Sequence, residues 1–461
     1  MFLKIFFKPT VCSLLLLVTL YSCRKDVDFT PVDMNELNPD VPYNANTALD
    51  QWLKTHFLDT YNSEVTYRYS RYDHEYDRNI VPIDQDRVRP FMEIVEGGFA
   101  DPYVAVAGLP FMKVNMPKQW VLYGSSSYSA TTVYWGSAVG GVRVNIFDLN
   151  TFSKTNSSTV RDRLGTIHHE FTHILNQRVQ IPAEFREISK DRYTGDWENT
   201  HDTTAQNWGF MRAYSAQNPM EDFADMVKYP MVWGPSWFEN LMRIRPSGAA
   251  AMRAKELSIL QYFNSGLQID FRELQKKVQL YLKDTIKAPE VTFPYWINQG
   301  LYRTVTIAFD DPMYRDYGSS PAFASVYNNM KAYMAGLSTP RTLLNMQLRF
   351  NTPTSLTVRL NYLSGTSSFA ADFDFSMATN SSTGVTTFTK VAQSSTTGNY
   401  ANAVIFQPGF EASIQPYLTS GTFISDWVPI SAPATMFTKI GGFYKSGDPA
   451  NYFYGTLGQT L

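Results

Sequence analysis

The chain has 461 residues, 44% hydrophobic and 15% aromatic, enough for two or three domains with buried cores. A formal net charge of −2 argues against a general affinity for nucleic acid, and no like-charge run marks an interaction tail. The two cysteines are Cys12 and Cys23, so beyond residue 23 an internal disulfide, a cysteine-based zinc site and a cysteine nucleophile are excluded.

Residues 1–22 read as a leader. Lys4 and Lys8 precede an apolar run, "VCSLLLLVTL", that is too short to span a bilayer comfortably. "LYSC" then resembles a bacterial lipobox, which implies cleavage before Cys23 and lipidation of that cysteine as a stable membrane anchor. Residues 23–48 are polar and weakly patterned, a tether. From residue 49, "NTALDQWLKTHFLDTYN" has helical spacing and "EVTYRYSRY" alternates as a strand. "QWVLYGS", "TTVYWGSA" and "VRVNIFDL" read as strands separated by Gly/Ser turns.

A helix is expected from near Ser158 or Thr159 to about Gln177, ended by Pro182. Residues 183–208 look like a polar loop. Asn218 and Pro219 pair an N-cap with a first-turn proline and predict a second helix, with more helix over 249–264 and 269–283. Beyond about residue 290 Ser, Thr and Asn rise. Alternating segments from "RTVTIAFDD" through "NAVIFQP" to "GTFISDWVPI" suggest a β-sandwich or barrel, and a separate all-β, sandwich-like domain is expected over 291–461.

The first helix carries "GTIHHEFTHILNQ", with three of the six histidines. His169 and His173 are four apart, so both imidazoles reach one ion from one helix face. Glu170 lies about 100° further round, close enough to take a proton from a water on that ion without ligating it. His168 falls on another flank. The third ligand must come from elsewhere. His201, in the polar stretch "ENTHDTT", is one candidate. Glu221 is the other: it shares a helix face with Asp225, which can accept the free N–H of a ligand histidine.

H-E-x-x-H followed by a downstream E-x-x-x-D helix resembles the gluzincins, the thermolysin-like zinc peptidases. The resemblance implies one Zn2+ per chain on His169, His173 and Glu221, with Asp225 behind a histidine. "YSAQNPMEDFAD" is also similar to the corresponding part of anthrax lethal factor, which implies that Tyr214 points its hydroxyl into the site to stabilise an oxyanion or protonate the leaving amine. Over most of residues 23–285, the lipobox cysteine together with "PFMEIVEGGFADPY", "GVRVNIFDLN", "TIHHEFTHILNQ" and "NPMEDFADMV" looks like the substrate import-associated zinc metallohydrolase lipoproteins of Bacteroidetes.

That resemblance implies an α+β zincin-like metallopeptidase domain over 49–290, on a lipid-anchored outer-membrane protein. Its partners would be a peptide or protein substrate and a TonB-dependent importer with its surface-binding lipoprotein. Zincin folds hold an extended substrate on an edge strand, for which "TTVYWGSA" and "VRVNIFDL" are both candidates. The competing expectation is a non-catalytic binding lipoprotein of a glycan or peptide import complex.

Overall fold

The computed structural model describes residues 47–70, 72–73, 78–128, 133–134, 136–139, 142–429 and 431–461. The leader, Cys23 and nearly all of the tether lie outside them. Among the described residues no helix is long and apolar enough to cross a membrane.

The first half of Trp52–Leu461 is mixed helix and sheet. Strands β1 (Glu64–Thr66), β2 (Gln119–Leu122), β3 (Gly136–Val139) and β4 (Arg143–Ile146) form a four-stranded sheet in the order β1-β2-β4-β3. The first three of that order are parallel, and β3 joins the edge antiparallel, pairing Gly136 with Ile146 and Val139 with Arg143. Trp120, Val121, Val144 and Ile146 are buried, as strands covered on both faces require. Among the described residues β4 is paired on both sides, and the edge strands of this sheet are β1 and β3.

Helix α1 (Ser157–Asn176) runs beside the β3 edge. Its N-cap is Asn156, whose Oδ1 accepts from the amides of Ser158 (3.0 Å) and Thr159 (3.3 Å). Val160, Leu164, Ile167, Phe171, Ile174 and Leu175 are all buried along it. Helix α2 (Pro219–Val232) packs across α1 and is capped by Asn218, whose Oδ1 accepts from Met220 N and Glu221 N at 2.9 and 3.1 Å. Pro230 falls in its last turn. Helix α3 (Phe271–Asp284) supplies Gln275 and Gln279 there, which donate to the Pro230 and Met231 carbonyls at 2.6 and 2.7 Å. The 183–208 stretch is less a loop than expected, with short helices at Ala183–Ile188 and Asp202–Asn207.

In the C-terminal half, where the strand pattern left sandwich and barrel open and the sandwich-like form was expected, the structure is a barrel. Eight antiparallel strands close into a barrel: β5 (Thr304–Ile307), β6 (Thr342–Thr352), β7 (Ser355–Ser364), β8 (Ser367–Thr379), β9 (Val385–Lys390), β10 (Phe423–Asp426), β11 (Ile440–Lys445) and β12 (Asp448–Gly458). Neighbours in sequence pair in turn, and β12 returns to β5 through Thr456–Thr306 and Gly458–Thr304. Period-2 alternation is common to sandwiches and barrels. Closure depends on the pairing of first and last strands, which alternation does not encode.

Nor is this half all-β. Helix α4 (Pro321–Ala335) lies between β5 and β6, and α5 (Asn399–Ala412) between β9 and β10. "NAVIFQP", expected as a strand, is in α5. Ala403, Phe406 and Phe410 are buried at helical spacing while Val404 and Ile405 are exposed, and Phe410 stacks on Phe373 of β8 at 3.8 Å. The barrel meets α3 and the segment after it. Lys283 pairs with Asp426 at 2.8 Å, Lys276 donates to the Ala432 carbonyl (2.8 Å), and the Trp427 indole donates to the Val291 carbonyl (2.9 Å).

Candidate metal centre

Helix α1 carries His169 and His173 on one face, and the first turn of α2 brings Glu221 to the same point. Nε2 of His169 is 2.9 Å from Glu221 Oε2 and 3.1 Å from His173 Nε2, and the His173–Glu221 separation is 3.4 Å. Tetrahedral zinc with bonds of about 2.0–2.1 Å sets its ligands about 3.3 Å apart, so these three donors fit one zinc ion. His201 is exposed, precedes the helix Asp202–Asn207, and is not among the grouped donors.

Behind the trio stands Asp225, fully buried. Its Oδ1 lies 3.0 Å from His169 Nδ1, so the ring presents Nε2 to the trio and donates Nδ1–H to the carboxylate. Arg212 donates from Nε to Asp225 Oδ2 at 2.8 Å, and Ser215 Oγ donates to the same oxygen at 2.8 Å. Burial alone would raise the Asp225 pKa, but Arg212 and His169 hold it well below the usual carboxylate range. Glu221 follows the same pattern: burial opposes its charge, yet the two histidines keep it far below its ordinary value. Burial likewise disfavours charge on His169, but Asp225 and Glu221 outweigh it and push its pKa up to about 9. A field that favours a proton on this ring also favours a divalent cation in its place.

Glu170 is 8% exposed and faces the sheet edge. A Cβ added to Gly136 of β3 would lie 3.5 Å from Glu170 Oε1 and only 2.3 Å from the Thr166 methyl. With the Thr166 methyl in place, glycine lets β3 run this close to α1. His168 points elsewhere. It packs edge-on to Phe99 and close to Tyr103, and burial takes its pKa down to about 4, a neutral core histidine.

Tyr214 approaches from the turn before α2, with its ring centroid 6.2 Å from that of His169 and its hydroxyl near Glu221. Trp197 packs edge-on against it at 5.0 Å, and the Arg212 guanidinium lies 4.6 Å from its ring centroid. Burial and the Glu221 charge raise its pKa, which keeps it a neutral hydroxyl donor.

Beneath the first turn of α2 sits an ion pair that the sequence offered no cue to. Lys255 and Asp222 are both fully buried, 2.8 Å apart. Tyr193 donates to the same Asp222 oxygen at 2.8 Å, and Lys255 also donates to the Gly209 carbonyl at 2.9 Å. Above it, a cleft of about 490 Å3 opens beside the trio, lined by His173 and Glu221 with Gln177, Arg186, Asn218 and Met220. Arg212, Ser215 and Arg186 carry no local sequence signal, because each acts through contacts that only the fold makes.

Against known proteins, residues 43–272 match the model of a family described as "Putative zinc-binding metallo-peptidase". No curated protein matches the chain. Among solved structures, a chain described as a putative zinc-binding metallo-peptidase from Bacteroides caccae is 28% identical, with a TM-score of 0.44 over 50% of this chain and 89% of that one. The matched family region contains the whole of the His169, His173 and Glu221 cluster.

Proposed function

We propose that this chain is a zinc-dependent metallopeptidase of zincin-like, gluzincin type, anchored through a lipid on Cys23 at the outer membrane and working beside a nutrient importer and its surface-binding lipoprotein. The observation that carries the reading is one spatial cluster: His169, His173 and Glu221 with donors mutually within 4.8 Å, Glu170 on the same helix, and an open strand edge alongside. Zinc held by those three side chains supplies Lewis acidity, acidifying a water molecule and polarising the carbonyl it meets.

The remaining steps belong to the chain. The outer edge of β3, which pairs with no other strand among the described residues, takes an extended peptide as an added strand, laying its carbonyl against α1. Glu170 accepts the proton of the attacking water and returns it to the leaving nitrogen. Tyr214 donates its hydroxyl to the oxyanion as charge develops. Asp225, itself fixed by Arg212 and Ser215, keeps His169 in one tautomer and one orientation.

The decisive test is Glu170→Gln in the full chain, with zinc content and hydrolysis of a mixed peptide library measured together. Zinc is retained and cleavage is lost if Glu170 is the base. Unchanged turnover overturns the mechanism, and no cleavage by zinc-loaded wild type favours a binding lipoprotein. Cys23→Ser tests the anchor: the protein leaves the membrane fraction, and retention after a high-salt wash points instead to a protein partner.

A further inference from the structure

We infer that Arg186 recognises a carboxylate on the chain bound in the cleft, so that the preferred substrates are peptides with an acidic side chain or a free C-terminal carboxylate near the cleaved bond. This rests on the peptidase reading above and names its substrate class.

Arg186 stands on the short helix Ala183–Ile188, and its neighbour Phe185 fixes that helix. Phe185 is fully buried and packs edge-on against Phe223 at 4.9 Å, two residues beyond the ligand Glu221. The backbone that carries the guanidinium is thereby tied to the first turn of α2. The side chain is exposed and lines the same cleft as His173 and Glu221.

Arg186 makes no hydrogen bond or ion pair among the described residues. Nearby cations are committed: Arg212 to Asp225, Lys190 to Glu187 at 2.7 Å, and Arg178 to the Val114 carbonyl at 3.1 Å. The cleft's other polar groups add donors. The Asn218 oxygen is used by the α2 cap, which leaves its NH2, and Gln177 contributes a second amide. Glu221 is the anion in the lining, and it is turned to the two histidines. A donor-rich wall with a guanidinium fork matches a carboxylate, which it can hold through two parallel bonds.

The test uses full-length, zinc-loaded protein and peptides in which one Glu or Gln is walked past the cleaved bond, each with a free or an amidated C-terminus. Wild type, Arg186→Ala and Arg186→Lys are compared by kcat/KM, and the same peptides are bound at equilibrium in the Glu170→Gln background. Wild type favours carboxylate over amide by about tenfold or more. Arg186→Ala brings the ratio close to one, and Arg186→Lys, which keeps charge without the fork, falls between. A Glu-over-Gln ratio identifies a side-chain carboxylate, and a free-over-amidated ratio identifies the terminus. The same ratio in wild type and Arg186→Ala, or no preference in either measurement, overturns the inference while leaving the peptidase intact. If no peptide is cleaved, the peptidase reading fails and the binding ratio alone decides for or against Arg186.

Discussion

His169 Nδ1 lies 3.0 Å from Asp225 Oδ1, a contact between two helices across 56 positions of sequence. It commits one ring nitrogen and aims the other at Glu221 and His173. Asp225→Asn should therefore lower zinc affinity by about 10–100-fold without removing a ligand. The measurement is competitive titration against a chelator of known affinity.

Asp225 also sets a pH dependence. Burial works against its charge, but Arg212 and His169 hold its pKa below the unfolded value, so the folded state binds fewer protons there. Stability from this carboxylate is present above the ordinary aspartate range and lost as pH falls through and below it. Thermal unfolding from pH 7 down to pH 3 should show a steeper loss in wild type than in Asp225→Asn. Parallel curves would remove Asp225 from the account.

On the proposed mechanism, in which the Tyr214 hydroxyl acts where charge develops, Tyr214→Phe should cut turnover by about two orders of magnitude with zinc retained. His201→Ala should leave zinc content unchanged. Metal loss in that variant would bring the exposed residue back as a ligand.

Gly136 gives a test by packing alone. A Cβ there would lie 2.3 Å from the Thr166 methyl, so Gly136→Ala should destabilise by about 1–3 kcal/mol and shift β3 away from Glu170. Thr166→Ser removes the obstructing methyl while keeping the hydroxyl that bonds the Asp162 carbonyl at 3.1 Å. Adding it to Gly136→Ala should recover most of the loss in stability, read as the midpoint of denaturant unfolding.

The Asp222–Lys255 pair makes the opposite kind of prediction. Burial raises the Asp222 pKa to about 6 and lowers that of Lys255, so both partners resist charge despite their contact. Lys255→Met alone should cost about 3–5 kcal/mol, because it leaves a buried carboxylate without its cation. Asp222→Leu combined with Lys255→Met should be close to neutral. A double variant as unstable as the single one would show that the pair itself stabilises α2.

Local features were legible in the sequence, and long-range ones were not. The positions of His169, Glu170 and His173 follow from helical geometry within one segment, and Asn218–Pro219 announced the start of α2 and hence the place of Glu221. Arg212 and Ser215 meet Asp225 only after a turn has folded back. Arg186 lay in a stretch that read as polar loop, because a six-residue helix held by one phenylalanine has too little periodicity to detect. The β5–β12 pairing closes the barrel across some 150 residues, and no local pattern reports such a closure. "NAVIFQP" misled because four apolar residues in a row suit a strand and a half-buried helix equally.

The closed barrel also changes what the molecule offers to other polypeptides. An open strand edge is a standing invitation to pair with any extended chain, and proteins usually hide or blunt it. Eight of the strands here consume one another's edges completely. Among the described residues of the larger sheet, the edges left are the three-residue β1 and the four-residue β3. Within that sheet one of the two remaining edges is the strand that runs past Glu170, so on the proposed peptidase reading a stray extended peptide that pairs there arrives beside the residue proposed to act on it rather than on a surface where it would accumulate.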